Sequence, residues 1–178
     1  MTENHLHNIA FDVPYPANYG GVIDVFYRVK ALSLAGVKVH LHCFEYGRGE
    51  QEVLKRCHEV KYYKRDTSFA NQLSLTPFIV NSRRSEEWVR DLLQDNYPIL
   101  CEGLHTTAIL SDKRLRNRQI YVRAHNVEHD YYRALGESEK CCWKKLFYLA
   151  EAWKLRRYEP ILRKAAGIFA ISQKDADY

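Results

Sequence analysis

No apolar run in this chain approaches the roughly 20 residues that cross a bilayer. Residues 1–20 carry His5, His7, Asn8 and Asp12, so the apolar core of a secretory leader is missing and the expected compartment is the cytosol. Cysteine is sparse and odd in number, with five at positions 43, 57, 101, 141 and 142. There is no C-x-x-C pair, which favours reduced thiols in a cytosolic protein. The G-x-G-x-x-G dinucleotide fingerprint is absent, as is the Gly-Lys-Ser/Thr of a P-loop. No recognition-helix or RNP-like motif occurs, which argues against a nucleic-acid partner. Internal repeats and low-complexity stretches are lacking too. At 178 residues and 21.0 kDa the chain holds one ordinary domain and is too short for two full Rossmann-type domains.

What is present is globular in kind, 46% hydrophobic and 28% charged. The net charge of +5 is unevenly placed. Residues 1–110 hold 12 Lys/Arg against 13 Asp/Glu, and residues 111–178 hold 15 against 9. The basic second part suits phosphates or anionic lipid; the plainer alternative is a solvated helix face.

Apolar periodicity predicts alternating strands and helices. Leu6–Phe11 reads as a first strand, followed by a loop, Asp12–Gly21, whose two prolines and two glycines forbid regular structure. Val22, Val25, Phe26, Val29 and Leu32 then recur at helical spacing, with Gly36 as the C-terminal cap. Val37–Phe44 alternates, with Val37, Val39, Leu41 and Cys43 on one face and Lys38, His40 and His42 on the other. Further strands are expected at His58–Tyr63, Pro98–Cys101, Gln119–Ala124 and Gly167–Ile171. Ser85 precedes a helix over Glu86–Gln94, and Asp66–Ser82 is ambiguous around Pro77. Glu139–Ala165 forms a long basic helical pattern that Pro160 kinks or splits. Its stripe of Trp143, Leu146, Phe147, Ala150 and Trp153 is expected to pack on the sheet, or else to join the basic residues against an anionic membrane. Ser172 and Asp175 form a capping box, and the end of the chain at Tyr178, inside a helix, suggests a truncated domain. The fold class is therefore α/β, a Rossmann-like three-layer αβα sandwich with a mostly parallel sheet.

In such sheets ligands bind beyond the carboxyl ends of the strands. The candidates there are Asp12 to Gly21, Glu102 to His105, and His125 to His129. Gly20 and Gly21 open a helix, where backbone can approach an anion closely. Glu102 and His105 offer a carboxylate and an imidazole suited to sugar hydroxyls. The sequence from His125 through Glu128 to His129 matches the H-x-x-E-H zinc-peptidase pattern, and the alternative readings are a zinc-dependent hydrolase or a non-catalytic basic binding module. That pattern needs both histidines on one helical face, whereas His125 is expected in the turn after a strand. The pairs His5/His7 and His40/His42 lie on strands and are no better as metal sites.

The order Asp12-Val-Pro-Tyr-Pro…Gly20-Gly21, then Arg123-Ala-His-Asn-Val-Glu128, then a long helix leading to Ile171-Ser172, resembles the N-terminal domain of family-4 glycosyltransferases of the GT-B type. The resemblance spans nearly the whole chain, residues 1–178. It implies the acceptor-side half of a retaining enzyme that moves a sugar from a nucleotide-sugar donor to a polysaccharide, lipopolysaccharide or glycolipid acceptor. The C-terminal donor-binding domain would lie outside this chain, so this stretch alone is expected to be inactive. His125 would be the catalytic residue, near the transferred sugar, and Gly20 and Gly21 would face the donor diphosphate. Asp12, Glu102, His105, Asn126 and Glu128 would line the cleft or bind acceptor. The resemblance implies no cofactor and no metal, only the nucleotide-sugar co-substrate, and a cytoplasmic protein with peripheral contact to anionic membrane.

Overall fold

The computed structural model describes residues 4–176. The strands are β1 (His5–Ala10), β2 (Lys38–Glu45), β3 (Glu59–Lys64), β4 (Ile99–Glu102), β5 (Ile120–Ala124) and β6 (Gly167–Ala170). The helices are α1 (Gly20–Leu34), α2 (Phe69–Leu73), α3 (Phe78–Asn81), α4 (Glu86–Leu92), α5 (Glu128–Ser138), α6 (Cys142–Tyr158) and α7 (Gln173–Ala176). All described strand pairs are parallel, in the order β3-β2-β1-β4-β5-β6. The chain is an α/β domain with a Rossmann-like three-layer arrangement. The order reverses between β1 and β4, which opens a crevice at their carboxyl ends.

Each face of the sheet has its own apolar layer. Ala10, Val39, Leu41 and Cys43 pack against Val22, Val25 and Val29 of α1. Ile9, Phe44, Ile99, Cys101, Ile120 and Val122 pack against Trp88, Val89 and Leu92 of α4. The helix ends follow their local chemistry. Gly36 takes φ +83°, the left-handed conformation that closes α1, and Val37 N–H donates to the Leu32 carbonyl. The Ser85 hydroxyl accepts from Trp88 N–H at the start of α4, with Glu86 and Glu87 in the first turn. One half of the expected capping box is formed, with Asp175 N–H donating to Ser172 Oγ at 3.2 Å. The expected chain end at Tyr178 lies outside the described residues.

Three expectations need correction. His40 and His42 lie on the polar side of β2, yet both are buried. The ambiguous 66–82 segment holds two short helices, and an unforeseen helix, α5, follows β5 directly. Most consequentially, the aromatic stripe of α6 faces outward: Trp143 is 81% exposed and Trp153 54%. The buried side of α6 is instead Glu151, Ala152 and Leu155. Glu151 is drawn inward because its carboxylate accepts from Phe78 N–H, at 2.6 Å, and from Lys154 Nζ, at 2.7 Å. It thereby caps α3, whose preceding residue, Pro77, supplies no side-chain cap. Gly136 allows α5 to lie close against α6, since a Cβ there would stand 2.9 Å from Leu149. Pro160 ends the α-helical stretch, and a 3-10 segment, Glu159–Lys164, leads into β6.

Candidate functional site

The loop after β1 is braced from within. Asp12 accepts from Val13 N–H at 2.8 Å and from the Tyr19 hydroxyl at 2.9 Å, and it pairs with Arg48 at 3.3 Å. These bonds deliver Gly20 and Gly21 to the first turn of α1, where no side chain caps the helix. Gly21 must be glycine, because a Cβ there would lie 2.7 Å from the Phe11 ring. Gly20 borders a shallow crevice of about 530 Å³ with Ile23, Asp24, Tyr27, Arg28 and Arg123. An uncapped helix start beside two guanidiniums is suited to an anion.

Beneath this crevice runs a charge network. Glu102, fully buried at the end of β4, accepts from Arg28 Nη2 at 2.5 Å. Arg28 also bonds Asp24 at 2.7 Å, and Asp24 is held by Arg123 Nε at 2.8 Å. Hydrogen bonds from Arg123 and Arg28 outweigh the desolvation of Asp24 and keep its carboxyl below the usual range. His125, just past β5, places Nε2 3.1 Å from Glu102 Oε2 and Nδ1 3.7 Å from Asp24. Its ring meets that of Phe11 edge-on, with centroids 5.6 Å apart. His125 therefore stands on the same phenyl ring that packs against Gly21.

A second imidazole lies alongside. Gly103, at φ +67°, turns the chain after β4, and a Cβ there would fall 2.9 Å from His105 Nδ1 and 3.6 Å from His125 Cδ2. Burial, then the nearby Arg83 charge, push the His105 pKa well down, so the ring is neutral. Arg83 is itself buried and donates to the carbonyls of Phe11 and Ile79. Burial lowers its pKa to about 9, which leaves it a cation at neutral pH. Glu128, in the first turn of α5, approaches His105 at 3.9 Å, and burial raises its pKa to about 7. Asn126 is exposed at the rim. Three buried atoms around Gly103, Glu102 Oε1, His105 Nδ1 and His125 Nδ1, accept or donate no hydrogen bond among the described residues. Such groups are costly unless a ligand or water satisfies them.

The sequence-derived residues thus divide. Glu102, His105, His125 and Glu128 gather around Gly103, and Gly20 and Gly21 form the opposite lip. Asp12 serves the loop's own bonding. The zinc-hydrolase alternative fails on geometry. His129 Nδ1 pairs with Glu159 at 2.7 Å, and among the described residues no metal-capable group joins His125, Glu128 and His129. Asp24, Glu102 and His125 do form a metal-capable trio, but Arg28 and Arg123 already occupy the two carboxylates. Asp24, Arg28 and Arg83 were missed by sequence reasoning. The i,i+4 spacing of Asp24 and Arg28 on α1 was the available signal for the first two; Arg83 gave none.

No protein-family profile matches the chain. An uncharacterized 44.6 kDa protein in the cps region of Klebsiella pneumoniae is 32% identical over 151 residues, which cover 80% of this chain and 39% of that relative. The chain thus spans about two fifths of the length of the curated relative it matches.

Proposed function

We propose that this chain is the acceptor-side half of a retaining glycosyltransferase, with a nucleotide sugar as donor and a polysaccharide, lipopolysaccharide or glycolipid as acceptor. The observation that carries the reading is the convergence, at the carboxyl edge of the parallel sheet, of three buried atoms without a hydrogen bond, Glu102 Oε1, His105 Nδ1 and His125 Nδ1. A carboxylate and two imidazoles suit the mixed donors and acceptors of a sugar's hydroxyls. The uncapped start of α1 offers a diphosphate free N–H groups and the positive end of the helix dipole, while Arg28 and Arg123 neutralise the carboxylates of Asp24 and Glu102 beside it. The relative's position in a cps region is consistent with polysaccharide biosynthesis.

In this reading His125 hydrogen-bonds a hydroxyl of the transferred sugar and stabilises the positive charge that develops as the bond to the diphosphate loosens. The leaving diphosphate helps take the acceptor proton on the same face, and configuration is retained. Glu102 orients His125 through the 3.1 Å contact and is itself neutralised by Arg28. The reaction proposed uses no bound metal, because the guanidiniums already balance the site's carboxylates. The donor contacts would come mainly from a domain outside this chain.

The outward face of α6 extends the proposal to an anionic membrane. Trp143, Leu146 and Trp153 are exposed beside Lys144, Lys145, Arg156 and Arg157. Indoles flanked by lysine and arginine match the boundary between lipid headgroups and acyl chains. A lipid-linked acceptor would be met there.

The decisive experiment supplies labelled nucleotide sugars and membrane-lipid acceptors to a protein carrying this stretch with its donor-binding domain. Transfer with retention, lost in His125→Ala while the fold persists, is expected. Epimerisation of the donor sugar without transfer would overturn the assignment.

A further inference from the structure

The amino-terminal edge of the sheet, opposite the crevice, carries histidines in two tiers. The inner tier is closed. His7 Nδ1 lies 2.8 Å from His42 Nε2, and His7 Nε2 is 3.0 Å from both Asp95 oxygens. His42 Nδ1 donates to the Tyr63 oxygen at 2.8 Å, and the Tyr63 hydroxyl donates to Asp91 at 2.7 Å. Every ring nitrogen there is used within the protein, so that tier is structural.

The outer tier is built differently. His40 donates Nδ1–H to Glu59 Oε2 at 3.0 Å, which leaves the lone pair of Nε2 pointing at His5 Nδ1, 2.9 Å away. The Tyr97 ring stacks on His5 with centroids 4.2 Å apart and an 11° tilt, which fixes the plane of His5. His58 stands just before β3, tied to β2 by its N–H to the Val39 carbonyl at 3.0 Å. Its ring lies 5.0 Å from that of His40 and 5.4 Å from that of His5. One ring nitrogen from each of the three histidines lies within 4.8 Å of the other two.

We propose that His5, His40 and His58 form a binding site for a divalent transition-metal ion, zinc(II) in the first instance. Three imidazoles and no carboxylate or carbonyl ligand suit zinc, copper or nickel rather than magnesium or calcium. Ligand nitrogens at 2.0–2.1 Å in tetrahedral geometry stand about 3.3 Å apart. The His5–His40 gap of 2.9 Å opens by a few tenths of an ångström to meet this. Rotation of the exposed His58 side chain closes the rest. Glu59 provides the outer carboxylate that metal-bound histidines usually carry, fixing the tautomer that frees Nε2. His58 is solvent-exposed, so the fourth position falls to water. The ion would clip β1, β2 and the start of β3 together. The site shares no residue with the glycosyltransferase crevice and stands whether or not that reading holds. Sequence spacing hides it, because positions 5, 40 and 58 come from three separate segments.

The test is zinc titration of the tag-free chain against a chromophoric chelator, with bound metal counted by atomic absorption. One zinc per chain is expected, with a rise in Tm of about 5–10 °C at zinc a hundredfold above Kd. His40 is buried and its replacement risks the fold, so exposed His58 carries the test. His58→Ala should weaken zinc at least about tenfold with an unchanged circular dichroism spectrum, and Glu59→Gln should weaken it about 10–100-fold. The adjacent exposed thiols Cys141 and Cys142 are a competing zinc trap, so Cys141→Ser/Cys142→Ser is run in parallel. Zinc lost in that double variant but unchanged in His58→Ala overturns the proposal. So does the lack of any site tighter than about 100 μM.

Discussion

Glu128 makes the stability of this domain fall as pH rises, and Glu128→Gln should abolish that fall. Burial raises its carboxyl from the ordinary 4.5 to about 7, with Glu159 adding repulsion, while hydrogen bonding to Asn126 and the charge of Arg83 oppose. The folded chain thus holds this proton more tightly than the unfolded chain does. Between pH 4.5 and 7 the unfolded state has lost the proton and the folded state keeps it, so stability declines with pH across that window and levels off above it. Each pH unit of the gap is worth about 1.4 kcal/mol, or about 3 kcal/mol in all. Other groups slope the opposite way: burial holds His7, His42 and His105 below the ordinary histidine value, so they favour the folded state as pH rises through that region. Those contributions are common to both proteins and cancel in the difference. Urea denaturation of the two chains from pH 4.5 to 8.5 should therefore show near-equal stability at the acid end and an advantage of about 3 kcal/mol for Glu128→Gln at pH 8. In thermal scans that is about 6–12 °C for a domain of this size. A difference that stays constant with pH, or an advantage for glutamine that is larger in acid, would refute the burial argument.

Arg28→Met leaves the Glu102 carboxylate buried without its guanidinium and should cost about 3 kcal/mol, the lower end for broken buried pairs because Arg28 keeps some solvent contact. Adding Glu102→Gln should restore most of it, and additive losses in calorimetry would deny the coupling. His125→Ala, in a protein that also carries the donor domain, should lower kcat by at least about 100-fold with little change in Tm; unchanged turnover removes His125 from the chemistry. Trp143→Ala/Trp153→Ala should lower sedimentation with anionic vesicles while leaving the Tm within about 1–2 °C, since both indoles are exposed. Equal retention on neutral and anionic vesicles would remove the electrostatic half of that account.

The parallel α/β plan was legible because β1, β2, β4 and β5 are short apolar runs separated by helix-length segments, and because Gly36 and Ser85 mark helix ends by mechanisms that are local. What failed was everything decided across the sheet. Glu151 is a surface residue by any hydropathy scale, yet it is buried with its carboxylate accepting from Phe78 N–H, while Trp143 and Trp153 face outward. His40 and His42 alternate with apolar residues as in a half-exposed strand. They are buried because Glu59, Tyr63 and histidines of β1 satisfy their nitrogens, partners 19 to 35 residues away that no window along the chain contains.

The crevice shows the same division more sharply. His125 and Glu102 could be placed because both follow an apolar strand, and the parallel sheet delivers such ends to one edge. Their chemistry could not be placed, because it depends on Asp24 and Arg28 of α1 meeting Arg123 of β5, a contact spanning 99 positions between Asp24 and Arg123. The H-x-x-E-H string shows the hazard of reading spacing alone. His125 stands in a turn and His129 one helical turn beyond it, so the four-residue interval that would align two ligands on a helix instead divides them between Glu102 and Glu159. The three histidines whose nitrogens do converge share no motif. Strand register pairs His7 with His40, so His5 lies diagonally across from His40 and its ring reaches over, and the hydrogen bond from His58 N–H to Val39 brought the third within reach.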